Sequence, residues 1–418
     1  MIFLTPYISF CSFGDRLFLM NHKTGAELFL NSDAAQIIRL IDAGKPLPDG
    51  IDDFVGDLQK MGIVEKETSS KSERFSPENG EDLHLFEQVK AEATQKLRPF
   101  SAHLEITRRC PLACDHCYLR DVPTEGDKEL STDEWILLID SLHKMGAFHL
   151  SVTGGEPFVR DDAVEILTAI RKRRMALSVL SSGAGVSDSI AKQIADISPM
   201  VWQTSIYGDE KTHDSLTGVS GSFAQMLHVA RYMKQRGVSV RMTAVITSES
   251  LYYIDYIKEL CLVEGFVLSF NTTLMPGLGG TEPPRELRLS DAELQRLFEK
   301  IECQQSPPIP LTSPPCDAAR SVVAINHRGD LYPCIEWRES AGNITKDSIE
   351  NIWKNSSFFQ EIRNITQSDI LECQSCEFQH FCHRCPGHAV RQGHTMIQKD
   401  EWACRKAKSC ATAEKQLQ

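Results

Sequence analysis

The chain has 418 residues, enough for two or three domains with cores of their own, and its 41% apolar and 24% charged content is ordinary for a globular protein. A formal net charge of −12 argues against a nucleic-acid or anionic-membrane partner, because either would be repelled over most of the surface. No stretch reaches the roughly 18 apolar residues of a membrane span, and the opening MIFLTPYISFCSF lacks the basic region and cleavage site of a signal peptide. A cytoplasmic location is the expectation.

Residues 1–66 read as a unit of their own. β-prone runs at 2–13, 16–20 and 26–30 precede Asn31, Ser32 and Asp33, which suit the start of a helix over 34–42. A second helical pattern covers 51–61, and Ile63-Val64 resembles a short strand. Hairpin, helix, helix and strand make a winged-helix-like module. Residues 67–100 follow as a linker, polar over 68–81, and a helix at 82–97.

From residue 101 strands and helices alternate, which predicts βα units around a parallel sheet. The expected strands are 103–107, 149–153, 177–180, 201–206, 238–246 and 266–270. The expected helices are 132–145, opened by a Ser131/Glu134 capping box, then 161–174, 188–197, 222–236, 252–263 and 291–303. Six units over 101–303 fall short of a full eight-fold barrel and predict an open, partial (β/α)6 TIM-like barrel. The basic run Arg171-Lys172-Arg173-Arg174 is read as a helix end on a solvated face. After a Pro-rich stretch at 306–315, residues 304–418 are cysteine-rich with little apolar periodicity, and metal clusters would hold such a segment together.

Fourteen cysteines are anomalous for a cytoplasmic protein, where disulfides are not expected and metal or redox use is favoured. Ten fall into groups at 110–117 and 316–404, while Cys11, Cys261, Cys303 and Cys410 are scattered. Cys110, Cys114 and Cys117 lie in a C-x3-C-x2-C loop just after the first barrel strand. Three thiolates on one loop suit a 4Fe-4S cluster and leave its fourth iron open. The alternative is zinc, which prefers four closed ligands and would need His116 to join.

This loop resembles that of the radical S-adenosylmethionine (SAM) superfamily. In that family SAM chelates the open iron, and its reductive cleavage yields a 5′-deoxyadenosyl radical. Thr153-Gly154-Gly155-Glu156-Pro157 at the end of the second strand resembles the family's GGEP segment, which holds the SAM amino group. Two glycines permit close backbone approach to a ligand, and Glu156 offers an acceptor for an amine. Ser181-Ser182-Gly183 and Gln203–Gly208 end the third and fourth strands, where relatives place SAM contacts, and Thr217 stands where relatives often have Arg. The resemblance implies SAM contacts from His116, Gly154, Gly155, Glu156, Ser182 and Ser205.

The second cysteine group resembles the SPASM extension of radical SAM proteins. The likeness implies one auxiliary 4Fe-4S cluster on Cys316, Cys334 and Cys385, and another on Cys373, Cys376, Cys382 and Cys404. Cys303 is too distant to assign as a further ligand, so the first of these clusters is expected to be open to a substrate. Paired zinc ribbons are the alternative on spacing alone. Residues 1–66 resemble the PqqD-like recognition element that clamps the leader of a ribosomal precursor peptide by β-augmentation. The combination implies a radical SAM peptide maturase that crosslinks a precursor peptide, through thioether or carbon–carbon bonds. Its partners would be that peptide and a reductase or flavodoxin-type electron donor. The competing readings are an enzyme acting on a cofactor precursor such as a tetrapyrrole, and a non-catalytic leader-binding scaffold. The acid or base residue is not evident; Glu336, Asp330 and Tyr332 are candidates on position alone.

Overall fold

The computed structural model describes residues 2–66, 83–119, 128–278, 280–282, 285–303 and 305–417. The linker read into 68–81 lies outside them. In the N-terminal module Pro6, which lacks an amide proton, divides the run read as one strand into β1 (Ile2–Leu4) and β2 (Ile8–Phe13). β2 pairs with β3 (Arg16–Asn21), and β3 with β4 (Glu27–Leu30), in an antiparallel sheet. Helix α1 (Ser32–Asp42) starts where Asn31 accepts a hydrogen bond from the Ala34 amide. Helix α2 (Asp52–Lys60) and β5 (Val64–Lys66) follow, and β5 pairs back onto β1. Leu17, Leu19, Ile38, Leu58 and Ile63 fill this module's core.

After α3 (Leu83–Gln95) the barrel strands are β6 (Ser101–Thr107), β7 (His149–Gly154), β8 (Ala176–Leu180), β9 (Val201–Ile206), β10 (Ser239–Val245) and β11 (Val267–Asn271), all parallel. The covering helices are α4 (Thr132–Met145), α5 (Ala163–Lys172), α6 (Asp188–Asp196), α7 (Glu210–Thr217), α8 (Ser222–Gln235), α9 (Ile254–Glu264) and α10 (Asp291–Lys300). The six expected units are present. The sheet also gains a strand from beyond them: β12 (Val322–Ile325) pairs in parallel with β6 and carries β13 (Asp330–Tyr332) and β14 (Gly342–Asn343) antiparallel on its far side. The C-terminal segment adds α11 (Ile349–Asn355), α12 (Ser357–Asn364), α13 (Pro386–Arg391) and α14 (Glu401–Leu417).

Alternate residues of the barrel strands divide by chemistry. Leu104, Ile106, Leu150, Val152, Leu177, Val179, Trp202 and Met242 join the core beneath the helices. The other face presents Glu105, Thr153, Ser178, Gln203, Ser205, Thr243 and Ser269, with Gln203, Thr243 and Ser269 linked by hydrogen bonds of 3.2 and 3.1 Å. A complete TIM barrel fills its interior with branched apolar side chains. This lumen is polar, so it is suited to a charged ligand.

The basic run is only partly solvated: Lys172 is exposed, whereas Arg171 is not. Helix α5 ends there as expected, but Arg171 is 9% exposed. Its guanidinium donates to Ser9 Oγ at 2.8 Å and to the carbonyls of Pro6 and Ile8 at 2.6 and 3.2 Å. The Phe10 amide bonds the Arg174 carbonyl at 2.9 Å. Phe18, Phe86, Phe100 and Phe148 close the same junction. Phe100, Phe148 and Ala176 lie at the starts of β6, β7 and β8, so the module docks against the N-terminal rim of the barrel.

Candidate active site

At the opposite rim, the loop after β6 carries Cys110, Cys114 and Cys117. It is tied to the end of α7, where the Ala113 and Asp115 amides bond the carbonyls of Thr217 and Leu216 at 2.9 and 3.1 Å. Thr217 itself is buried, with its hydroxyl 2.6 Å from Ser222 Oγ and 3.0 Å from the His213 carbonyl. The turn after β7 packs beneath the loop: Gly155 N bonds Thr107 O at 2.8 Å and Glu156 N bonds Arg109 O at 2.9 Å. A Cβ at Gly154 would stand 2.1 Å from Thr107 O, and one at Gly155 would stand 2.4 Å from Arg109 O. Gly154 therefore permits close approach to the end of β6, and Gly155 to the start of the cysteine loop.

Glu156 differs from its expected role as an open amine acceptor. It is fully buried, and its carboxylate accepts from Ser181 Oγ at 2.8 Å, Ser182 N at 2.9 Å, Ser182 Oγ at 2.5 Å and Phe158 N at 3.3 Å. Burial raises its pKa, and the serine hydrogen bonds only partly offset this. The side chain binds the β7 turn to the end of β8.

A cavity of about 1010 Å³ opens above these turns, lined by all three cysteines of the loop, His116, Gly154, Gly155, Ser182 and Ser205. The predicted set thus converges on one space, apart from the Glu156 side chain. Beneath the loop His116, Tyr207, His213 and Phe223 form an aromatic column with ring centroids 4.8, 5.0 and 5.5 Å apart in turn. Burial lowers the pKa of both His116 and His213 to about 4, so both rings are neutral near pH 7. Burial and the neighbouring cysteines push the Cys114 thiol up to about 12. A thiol raised this far stays protonated near pH 7 unless a nearby positive charge, such as a metal centre, stabilises the thiolate.

The far cysteines lie in two neighbourhoods. Cys334 feels Cys385 and Cys316, and burial drives its pKa upward first. Cys382, half-buried and pushed up to about 11 by desolvation, feels Cys404, Cys373 and Cys376. These last four line a second cavity, of about 860 Å³. Among the described residues no three His, Cys, Asp or Glu side chains could grip a single metal ion, as a mononuclear zinc site would require. The donor set, grouped soft thiols spaced around open volume, fits iron–sulfur clusters. Cys303 and Cys410 form a disulfide, contrary to the expectation that none would be present.

Residues 104–260 match the radical SAM superfamily, and residues 316–386 match the SPASM iron–sulfur cluster-binding domain. The chain is a radical SAM enzyme with a SPASM domain. Those domains imply SAM and iron–sulfur clusters as cofactors. Over 301 residues the enzyme is 26% identical to the PqqA peptide cyclase of Rhizobium meliloti, covering 67% of this chain and 80% of that one. It is 24% identical to the AdoMet-dependent heme synthase of Nitratidesulfovibrio vulgaris, covering 68% and 86%. Its fold is similar to that of Streptococcus suis SuiB, solved bound to the precursor peptide SuiA, with a TM-score of 0.64 at 18% identity over 96% of this chain and 100% of that one.

In this radical SAM enzyme Ile335 and Glu336 of the SPASM domain, with Arg391 just beyond the matched residues, line the same cavity as the cysteine loop. Glu336 lies 3.4 Å from His388 Nε2, and His388 Nδ1 lies 3.4 Å from buried Asp400. Burial opposes the Glu336 charge, but His388 and nearby arginines outweigh it and hold the carboxyl below its ordinary pKa. Asp330 instead accepts from Asn326 and Asn343, organising the β13 turn, and the Tyr332 hydroxyl accepts from Asn326; neither lines the cavity. Sequence reasoning missed Arg338, whose two terminal nitrogens clasp Glu105 at 2.7 and 2.6 Å. It missed His388 and Asp400 as well. A partner on another domain leaves no signal in local spacing.

Proposed function

We propose that the enzyme oxidatively modifies a ribosomally made precursor peptide, forming a crosslink such as a thioether or carbon–carbon bond. The observation that carries this reading is the shared cavity: the cysteine loop at 110–117 and the turn at 335–336, next to Cys334, both line it, so a substrate there would touch both domains. Similarity to a peptide cyclase and to a peptide-bound fold supports it. Cys110, Cys114 and Cys117 would hold the SAM-binding 4Fe-4S cluster; Cys316, Cys334 and Cys385 a first auxiliary cluster; Cys373, Cys376, Cys382 and Cys404 a second. With SAM bound, that cluster would supply the electron that splits SAM into methionine and a 5′-deoxyadenosyl radical, the species needed for hydrogen-atom abstraction.

The chain's own residues orient and enclose. Ser182 and Ser205 face the space where SAM would lie, and the neutral column of His116, Tyr207 and His213 provides an apolar, aromatic floor. With Cys303 bonded to Cys410, the first auxiliary set would have three cysteines, and a cluster held there would keep one iron available to a substrate ligand. Residues 1–66 would clamp the leader of the peptide, and a flavodoxin-type donor would supply electrons. The heme synthase relative favours a second reading, in which the substrate is a tetrapyrrole precursor.

The test is anaerobic co-expression with a short peptide encoded beside the gene, followed by mass spectrometry. Loss of two hydrogens from a peptide fragment that depends on Cys110, Cys114 and Cys117 supports the maturase. An unmodified peptide together with turnover of a tetrapyrrole precursor supports the second reading instead. Iron analysis expects about twelve irons per chain, counting four for each cluster.

A further inference from the structure

We propose that Glu105, Arg338 and Tyr118 form a buried spacer that fixes the separation between the cysteine loop of the barrel and the cysteine turn at 334, and so sets the width of the cavity. The inference deepens the functional reading above and rests on it for its biological meaning. Glu105 lies on the lumen face of β6 and is 3% exposed. Arg338 is contributed from 233 residues along the chain and grips both carboxylate oxygens. The Tyr118 hydroxyl donates to the same carboxylate at 2.7 Å, and the guanidinium lies over the rings of Tyr118 and Tyr332 at 5.1 and 5.6 Å.

Each partner is attached to a cysteine. Tyr118 directly follows Cys117. Arg338 follows a closed turn in which the Trp337 amide bonds the Cys334 carbonyl at 3.3 Å, with Trp337 anchored at 1% exposure. A displacement of either side chain is thus passed to a thiol through at most four residues. Ile335 and Glu336, inside that turn, line the same cavity as Cys110 and Tyr118.

Energetics favour a positional role over a stabilising one. Desolvating a carboxylate and a guanidinium largely cancels their attraction, and apolar side chains of the same volume commonly pack as well or better. What apolar packing lacks is direction. A two-pronged guanidinium–carboxylate clasp fixes distance and angle together, and radical chemistry on a bound substrate is sensitive to displacements of about 1 Å.

The test uses the reconstituted holoenzyme with SAM and dithionite, without peptide, comparing wild type with the Glu105→Gln/Arg338→Met double variant and with Arg338→Lys. The readouts are magnetic interaction between the SAM-binding cluster and the nearer auxiliary cluster by pulsed EPR, hydrogen exchange at 116–119 and 334–338 in the cluster-free chain, and thermal unfolding. The expected result is a shifted and broadened interaction, and joint loss of protection in both segments, at a melting temperature near that of wild type. Arg338→Lys, which keeps the charge but loses the fork, should fall between the two. An unchanged interaction and unchanged exchange in the double variant overturn the proposal. If that variant does not fold, Tyr118→Phe carries the test, and identical spectra and exchange in it overturn the proposal equally. No peptide is involved, so failure of the spacer is distinguishable from failure of the maturase reading.

Discussion

The Glu156 carboxylate accepts two hydrogen bonds from Ser182, one from its amide at 2.9 Å and one from its hydroxyl at 2.5 Å, inside a site with no solvent exposure at Glu156. The consequence is that the turn after β7 and the end of β8 move as one body. Glu156→Ala leaves the Ser182 amide and two hydroxyls without their acceptor, and should cost about 2–3 kcal/mol of stability. SAM affinity should fall with it, since Ser182 lines the cavity and loses its restraint. Glu156→Gln keeps an acceptor and should lose less of both. Thermal unfolding and calorimetric SAM titration of anaerobic protein check this. Wild-type stability in the alanine variant would show that the buried carboxylate is dispensable.

Gly155→Ala tests the packing of that turn against the cysteine loop. The added methyl meets the carbonyl oxygens of Arg109 and Arg108 at 2.4 and 2.5 Å, and both are backbone atoms that cannot rotate away. The loop bearing Cys110 must shift. Iron per chain should drop by about four, the content of one cluster, and reductive SAM cleavage should be lost while the auxiliary signals persist. Full iron content with normal SAM cleavage would contradict the packing argument.

Legibility followed sequence distance. Helix α4 was found to the residue because both ends are written locally, as a Ser131/Glu134 capping box and a left-handed Gly146 at φ 89°. Strand β9 and the cysteine loop were legible for the same reason. The pairing of β12 with β6 was not, because a four-residue apolar run carries no record of its partner. The burial of Arg171 was hidden too: a basic run looks alike whether its face meets water or a docked module. The Glu156 carboxylate was expected to face a ligand because the motif names residue types, whereas its direction depends on serines 25 and 26 positions away. Cysteine spacing likewise contained nothing to join Cys303 to Cys410.

Arg171→Met should release the N-terminal module from the barrel. The substitution removes a buried guanidinium that donates to Ser9, Met175, Pro6 and Ile8 while roughly keeping the stem volume. Hydrogen bonds to charged donors contribute about 1.5–3 kcal/mol each where the acceptors stay buried, so a loss of about 3 kcal/mol is expected, concentrated at this junction. Limited proteolysis should cut near the module at a faster rate, with the iron content of the barrel intact. An unaltered cleavage pattern would mean that the phenylalanine cluster alone holds the module.

Cys303 and Cys410 join the end of the barrel region to α14, the helix that also carries Cys404. Because these two thiols are bonded to each other, they are not cluster ligands. Cys303→Ala and Cys410→Ala should each retain the wild-type iron content and EPR spectrum, with a lower melting temperature from the lost crosslink, worth about 2–4 kcal/mol. Thiol titration of denatured, iron-free protein should gain two thiols per chain on reduction. A loss of about four irons in the Cys303 variant would instead make it a ligand.

His149 predicts a specific acid sensitivity. Its Nε2 lies 2.8 Å from Ser178 Oγ in the barrel interior, and burial, with repulsion from His103 and Arg241, lowers its pKa to about 3. An unfolded histidine titrates near 6.5. Above that value neither state binds the proton and the group contributes no pH dependence. As pH falls below about 6.5 the unfolded chain gains a proton that the native ring refuses, so stability declines down to about pH 3, where the native ring titrates. His149→Gln preserves hydrogen bonding to Ser178 without titrating. Between about pH 6.5 and 5, its unfolding free energy should fall less steeply than that of wild type, by about 1 kcal/mol per pH unit. His22, His116 and His213 keep their own acid dependence, with pKa values of about 3, 4 and 4, so the slope is reduced and not abolished. Denaturant titrations at a series of pH values give both slopes, and parallel lines for the two proteins would mean that His149 titrates in the native barrel as it does in the unfolded chain.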